Sequence, residues 1–345
     1  HHNRFVGNEA FEKFPITKLE LESRAGLALV NGTSAMTGIA ALNVVRFDAA
    51  LEIALRSASA YGDIMKMRIE ATDPSLQALR PHRGQLQAAN NIRQLLKGSK
   101  RVNGGFIADN GNDEPEKFFA QDPYTLRCLP QLFGALIDMA AMHRTLIETE
   151  LNAVTDNPVV VDEEPFALHG GNFYGQHVGF ASDALIAPVI KLGVLLERQL
   201  ARLTDPVFNK GLPAFLQPRQ SGLNSGFMGA QVTASALVAE MRSVAVPASM
   251  QAVPTNGNNQ DVNTMGTVAA RKISALLDDA FSILAIHALA IAQAVDLLED
   301  EGGFATETIA LRDRVRKKST FLAADRPLSN DIQSVAEAFD PVTAC

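Results

Sequence analysis

The sequence predicts an all-α protein with at most one small β-hairpin. Three observations point there. The chain is rich in Ala and Leu, and its 345 residues include no Trp and only three Tyr. Such a composition suits a helical core better than a β-sandwich, whose strands favour aromatic and β-branched residues. Apolar residues recur at helical spacing over long segments, and a single stretch, Val159 to Leu168, reads as two paired strands. The length allows one large domain or two ordinary ones. No internal repeat and no clear linker divides it.

In chain order, residues 1–30 form a lead-in segment with Phe11, Phe14, Ile16, Leu19 and Leu21 scattered among charges. Asn31-Gly32 signals a turn, and Thr33 or Ser34 can cap the helix that follows. That helix is expected from about Ala35 to Ala71, with Pro74 as its stop. A second helix, about Ser75 to Leu96, is interrupted at Pro81 and Gly84 and ends at Gly98. Residues 99–120 are poor in apolar side chains and rich in Gly, which predicts a long loop of the kind that often carries function. Asp122 is a good N-cap and Pro123 suits a first helical position, so a long helix is expected from there to about Leu151. Thr155 to Pro158 makes a turn, and the hairpin follows. His169 to Gly175 holds three glycines, which let a backbone come close to something. One long helix is expected over 176–203, irregular chain over 205–228, a helix over 230–243, and a polar cluster from Pro254 to Asp261. The last long helix, about Thr264 to Glu299, is apolar on most sides and is expected to be buried in a bundle. The charged tail predicts peripheral helices. The division is thus 1–30, a central bundle over 31–300, and 301–345.

The net charge is -7, which argues against a nucleic-acid partner. The two cysteines, Cys128 and Cys345, do not make a disulfide framework. No signal peptide is visible and polar residues interrupt each apolar run, so no membrane association and a cytoplasmic location are expected. There is no His-Cys cluster of zinc spacing, no phosphate loop and no Gly-x-Ser-x-Gly elbow. His169, His177 and His287 stand alone, as core or surface histidines would.

Between the apolar helices lie polar islands: Asn31, Gln121 to Arg127, Asn157, Asn172-Phe173 and Asn256 to Asp261. Turn and cap chemistry accounts for each of them singly. Together they could form one site between helices of a bundle, a usual place for ligands. Arg127 is the sharpest of them. Tyr124 and Arg127 are three residues apart and share a helix face. A guanidinium beside the free N–H groups of a helix start is a receptor for a carboxylate. The plainer alternative pairs Arg127 with an acid elsewhere in the protein.

The order of these motifs resembles that of the aromatic amino acid ammonia-lyases and aminomutases. Asn31-Gly32-Thr33 is similar to the family's Asn-Gly-Thr motif. Gln121-Asp122-Pro123-Tyr124-Thr125-Leu126-Arg127 resembles its Gln-Asp-x-Tyr-Ser-x-Arg motif, with Thr125 in place of Ser. Thr155 to Pro158, Gly170 to Gly175, Gly222 to Gln231 and Asn258 to Gly266 match in order, over nearly the whole chain. The resemblance implies long, nearly parallel helices of the ammonia-lyase/fumarase type and a homotetramer with shared active sites. It implies non-oxidative loss of ammonia from an aromatic L-amino acid to give an arylacrylate. In the family the electrophile is 4-methylidene-imidazol-5-one, formed from Ala-Ser-Gly, with a tyrosine of an early loop as base. No metal is implied.

This chain contains no Ala-Ser-Gly. The nearest string, Ala58-Ser59-Ala60, follows the Asn-Gly-Thr motif instead of preceding it, and its third residue has the Cβ that ring closure must avoid. The electrophile is therefore expected on a companion N-terminal segment outside this chain, which alone would be inactive. Carried over residue by residue, the resemblance implies that Arg127 binds the substrate carboxylate with help from Asn157. Tyr124 and Asn31 would lie by the electrophile and the amine. Gln121 and Gln260 would order the surrounding network, Phe173 would line the pocket, and Asn259 would lie near the substrate or the ring. Histidine ammonia-lyases carry Glu where Gln260 stands, so tyrosine or phenylalanine is favoured over histidine. Alternatives are a 2,3-aminomutase and a non-catalytic relative serving as an assembly subunit. The fumarase/aspartase group is also built of long helices, but its Gly-Ser-Ser-x-Met-Pro-x-Lys-x-Asn loop is absent.

Overall fold

A computed structural model describes residues 7–15, 17, 19–23, 25–102, 121–164, 166–218, 222–298 and 302–343. Of the loop expected over 99–120, everything from residue 103 on lies outside the described residues.

Two long helices form the axis, α3 (Ser34–Ile64) and α11 (Gly266–Leu297). They run parallel. Asn43 Nδ2 donates to the Ala270 carbonyl at 2.8 Å, Arg46 Nη1 donates to Ser274 O at 3.1 Å, and Ser57 Oγ lies 2.7 Å from His287 Nδ1. From Ile283 to Ala294 nearly every α11 side chain is fully buried, as expected for a helix apolar all round. Helices α8 (Gln176–Ala184) and α9 (Ile186–Thr204) follow the same direction, Gly179 lying against Gly266 and Gly193 against Ile283. Helix α7 (Leu129–Leu151) returns antiparallel to α3, with Arg144 paired to Asp48, and α10 (Met228–Ser243) returns along α9, where Ser235 Oγ donates to Glu197 at 2.7 Å. By length and composition the spans 176–204 and 266–297 could each cross a membrane, but the bundle buries 61% and 83% of their most apolar windows. That is the signature of core helices.

Shorter helices complete the described chain: α1 (Gly7–Lys13), α2 (Ala25–Asn31), α4 (Pro74–Ala78), α5 (Arg83–Leu95), α6 (Tyr124–Arg127), α12 (Thr306–Arg316) and α13 (Ser329–Phe339). The hairpin is present as β1 (Val159–Val160) and β2 (Ala167–Leu168), antiparallel, with Val159 opposite Leu168. Asp63 ties the tail to the bundle. Its buried carboxylate accepts from Ala305 N–H at 2.8 Å, Thr308 Oγ1 at 2.7 Å and Ser99 Oγ at 2.5 Å.

Several expected boundaries are corrected. Helix α3 stops at Ile64, not near Ala71, because Lys66 enters the left-handed region (φ 53°). Met67 N–H then returns to Gly62 O at 2.9 Å and Lys66 N–H to Asp63 O at 3.3 Å, a Schellman stop without the usual glycine. Thr33 makes no side-chain cap, and its N–H donates to Thr155 Oγ1 at 3.4 Å. Between α4 and α5 the chain breaks at residues 79–82, and Gly84 lies inside α5. The long helix over 176–203 breaks at Leu185, because the ring of Pro188, three residues later, clashes with the Ala184 carbonyl.

Helices α5 and α7 touch backbone to backbone through Gly84 and Gly134. A Cβ on Gly134 would lie 2.4 Å from Gln85 Cα, and one on Gly84 would lie 2.2 Å from Gly134 O. Gly134→Ala is therefore expected to destabilise the protein by about 1–3 kcal/mol through overpacking. Denaturant unfolding checks this, and an unchanged midpoint would reject the contact.

Asp279 on α11 has its pKa pushed up to about 6, first by burial and then by Glu240 and Asp278. A carboxyl raised above its unfolded value contributes stability below about pH 4. That contribution is lost as pH rises through 6. Asp279→Asn should raise the melting temperature at pH 8 and leave it unchanged at pH 4, as thermal scans at the two pH values would show.

Candidate active site: two ends of one bundle

The expected helix from Asp122 to Leu151 is two helices. Pro123 is the N-cap in extended conformation, Tyr124–Arg127 forms a single turn, and the chain kinks at Cys128 (φ -101°, ψ 13°) before α7. Pro130 explains the kink, since its ring excludes the Leu126 carbonyl from a continuous helix. Asp122 is not the cap. Its Oδ2 accepts from Arg68 N–H at 2.7 Å, which fastens the turn to the chain just after α3. Gln121 lies beside it, exposed.

Arg127 shares a face with Tyr124, as its spacing required, and its guanidinium sits 4.7 Å from the Tyr124 ring centroid. Its own N–H is taken by Pro123 O at 3.0 Å, so the free-amide part of the expected receptor is weaker than a long helix start would make it. Among the described residues no carboxylate pairs with Arg127, and its Nε is buried without a partner. The structural ion pair that would explain it otherwise is therefore not found there. Behind the turn, Gln199 Nε2 donates to the Thr125 carbonyl at 2.9 Å. Tyr61 is fully buried there, and burial pushes its hydroxyl up to about pKa 12, partly offset by Arg202 and Thr125.

The other candidates gather elsewhere. Asn31 ends α2, and the adjoining Thr33 meets Thr155. Asn157 Oδ1 accepts from Gly170 N–H at 2.8 Å, and Asn172 Nδ2 donates to Val154 O at 3.3 Å, so the turn at 155–158 and the segment with Phe173 form one piece. Gly175 and Gly266 close around Met36, whose sulfur lies 2.5 Å and 2.6 Å from where their Cβ atoms would stand. A Cβ at either position would have to displace the end of the Met36 side chain. The approach brings the start of α11, and with it the loop carrying Asn259 and Gln260, to the Asn31 end. Gln260 pairs with Thr255 in a short bridge, Thr255 Oγ1 to Gln260 Oε1 at 3.0 Å, and both Asn259 and Gln260 are exposed.

One copy therefore does not assemble the single site that the polar islands suggested. Asn31, Asn157, Phe173, Asn259 and Gln260 lie at one end of α3. Gln121, Tyr124 and Arg127 lie at the other, beside Tyr61 and Arg68. The 31 residues of α3 put these ends about 45 Å apart. Among the described residues no group of three His, Cys, Asp or Glu is placed to hold a metal ion. The string Ala58-Ser59-Ala60 is buried inside α3, with Ser59 Oγ donating to Leu55 O at 2.8 Å in a regular helix. It offers nothing for ring closure, so no residues of this chain fit the making of the family's electrophile.

This helical bundle superposes on solved aminomutases and ammonia-lyases. The structure of tyrosine aminomutase from Streptomyces globisporus superposes with a TM-score of 0.88 at 35% identity, over 96% of this chain and 65% of that one. The family profile "Aromatic amino acid lyase" matches residues 1–317, and the chain belongs to that family. A tyrosine ammonia-lyase from Cereibacter sphaeroides is 46% identical over 342 residues, 96% of this chain and 65% of the relative. A histidine ammonia-lyase from Symbiobacterium thermophilum is 38% identical over 334 residues, 97% and 63% respectively. The chain thus spans just under two thirds of the length of these relatives.

Proposed function

We propose that this chain supplies the substrate-binding framework of an aromatic amino acid ammonia-lyase acting on tyrosine or phenylalanine. The observation that carries the reading is Arg127, a guanidinium without a carboxylate partner among the described residues, held on a short turn against Tyr124. A planar fork in that setting suits bidentate capture of an amino acid carboxylate. The reaction breaks the Cα–N and Cβ–H bonds and forms the Cα=Cβ bond, releasing ammonia and an arylacrylate. The family's methylidene-imidazolone, which no residues of this chain form, would supply the electrophilic activation of the amine; the roles assigned here are those of binding residues. Arg127 anchors the carboxylate, and Asn31 and Tyr124 border the amine. Gln260 presents an amide to the aromatic ring's end of the pocket, where a carboxylate would suit imidazole better.

Because Arg127 and Asn31 lie at opposite ends of α3, the working site draws them from different copies. Exposed apolar residues at the Asn31 end, among them Val30, Val45, Phe180 and Val262, are suited to burial between copies. A homotetramer with shared sites satisfies both features. A second reading is a tyrosine 2,3-aminomutase, favoured by 36% identity to such an enzyme from Myxococcus fulvus. Product analysis decides between them. An arylacrylate with free ammonia indicates the lyase, a β-amino acid the aminomutase, and no turnover by the assembled protein an assembly subunit. The intact mass of every co-purifying polypeptide is the companion test. One lighter than its sequence by two waters would reveal the ring, whose formation expels two waters.

A further inference from the structure

The Tyr124–Arg127 turn is short, and a kink at Cys128 detaches it from the rigid α7. Its own backbone bonds are few: Leu126 N–H and Arg127 N–H both go to Pro123 O, at 2.9 and 3.0 Å, and Cys128 N–H goes to Tyr124 O at 3.2 Å. A single turn of this kind is not stable by itself. Something else has to set the direction in which Arg127 points.

On α9, Gln199 is fully buried, the last residue of Glu197-Arg198-Gln199 and next to the buried Leu200. Burying an amide there is unfavourable unless it is bonded. Its Nε2 donates to the Thr125 carbonyl at 2.9 Å, the one side-chain bond from α9 to the turn among the described residues. The acceptor is a backbone carbonyl, so the donor end of the amide is fixed without ambiguity. Thr125 stands between Tyr124 and Arg127. Tyr124 precedes it directly and Arg127 follows two residues later, the pair assigned above to the substrate. The buried Tyr61 at the end of α3 also lies behind the turn, near Thr125. Asp122, bonded to Arg68 N–H, holds the turn's near end. Helix α9 packs along α11, so Gln199 ties the turn to the buried core of the bundle.

We propose that Gln199 is a positioning residue that sets the orientation of Arg127 and Tyr124 through the Thr125 carbonyl, without touching substrate. The proposal rests on the reading of Arg127 as the carboxylate receptor. Gln199→Met keeps the volume and burial and removes the Nε2 donor together with Oε1, which has no hydrogen-bond partner among the described residues.

The test uses the assembled active protein, with two readouts. The first is hydrogen exchange followed by mass spectrometry on the peptide covering 121–132. Gln199→Met should raise exchange in this peptide by roughly tenfold, the equivalent of one lost hydrogen bond, with peptides of α9 and α11 unchanged. The second is kinetic. The KM for tyrosine or phenylalanine should rise by roughly tenfold and kcat should fall less, because ground-state capture of the carboxylate is what the turn controls. Gln199→Lys, which can still donate to the carbonyl, should restore part of both. Unchanged exchange over 121–132 in Gln199→Met would overturn the positioning role, whatever the activity. Raised exchange with an unchanged KM would overturn the link from Gln199 to substrate. If the parent protein turned over no aromatic amino acid, the reading of Arg127 would fail, and the exchange result would still decide whether Gln199 holds the turn.

Discussion

Replacing Arg127 by lysine in the assembled enzyme is expected to lower kcat/KM for tyrosine and phenylalanine by about 30-fold to several thousand-fold, or about 2–5 kcal/mol. Lysine keeps the charge and loses the planar fork. In the proposed role both donors of the fork act on one carboxylate, so a point charge would hold the substrate with its Cβ–H bond free to swing. KM should rise because binding weakens, and kcat should fall if the fork also sets the angle of attack. Arg127 has no acid partner among the described residues, so its loss should leave the melting temperature nearly unchanged. Steady-state kinetics with both substrates, beside a thermal scan, measure the two effects. Near-normal kcat/KM would remove Arg127 from the site.

The largest stability effect is expected at Arg46, deep between α3, α11 and α13. Its Nε and Nη2 donate to Asp340 Oδ2 at 3.0 and 2.6 Å, its Nη2 also reaches Asp278 Oδ1 at 2.5 Å, and its guanidinium sits 5.6 Å from the Phe281 ring centroid. The Arg46 and Asp340 side chains are 8% and 4% exposed, whereas Asp278 is 70% exposed. The bond to Asp340 therefore dominates, since exposed pairs contribute little. Arg46→Leu leaves the Asp340 carboxylate buried and uncompensated, at a cost of about 3–5 kcal/mol. The double variant Arg46→Leu/Asp340→Leu should recover much of that loss, because no stranded charge remains. Urea unfolding of the three proteins distinguishes the cases. A double variant as unstable as the single one would show that packing, not the charge, is at stake.

How far the sequence could be read depended on how local each signal was. Helix α11 was legible because its second half is apolar on nearly every side, which only a bundle core accommodates. The hairpin was legible from two Val/Leu-containing runs around a polar turn. The kinks at Cys128 and Leu185 were also written in the sequence, as Pro130 and Pro188, but a proline acts on the carbonyl four residues before it. Scanning for a break at the proline itself misses both. The end of α3 was not legible, because its left-handed stop uses Lys66 where glycine is usual. The polar islands were all visible, yet their grouping was not. Helical periodicity says which face a residue occupies and not which end of the bundle it reaches. Asn157 and Arg127, thirty residues apart along an antiparallel helix, are thus separated by its whole length. Gln199 was hidden for another reason: beside Glu197 and Arg198 it reads as one more polar residue of α9, and its burial shows only once the Thr125 carbonyl is placed beside it.

That separation gives the most direct test of the shared site. Asn31→Ala and Arg127→Ala should each abolish most activity when they are the only form present. Co-expressed with different tags and purified as mixed assemblies, they should regain activity, because some sites then receive an intact Asn31 from one copy and an intact Arg127 from another. Mixed assemblies that form but remain as inactive as either parent would contradict a site shared between copies.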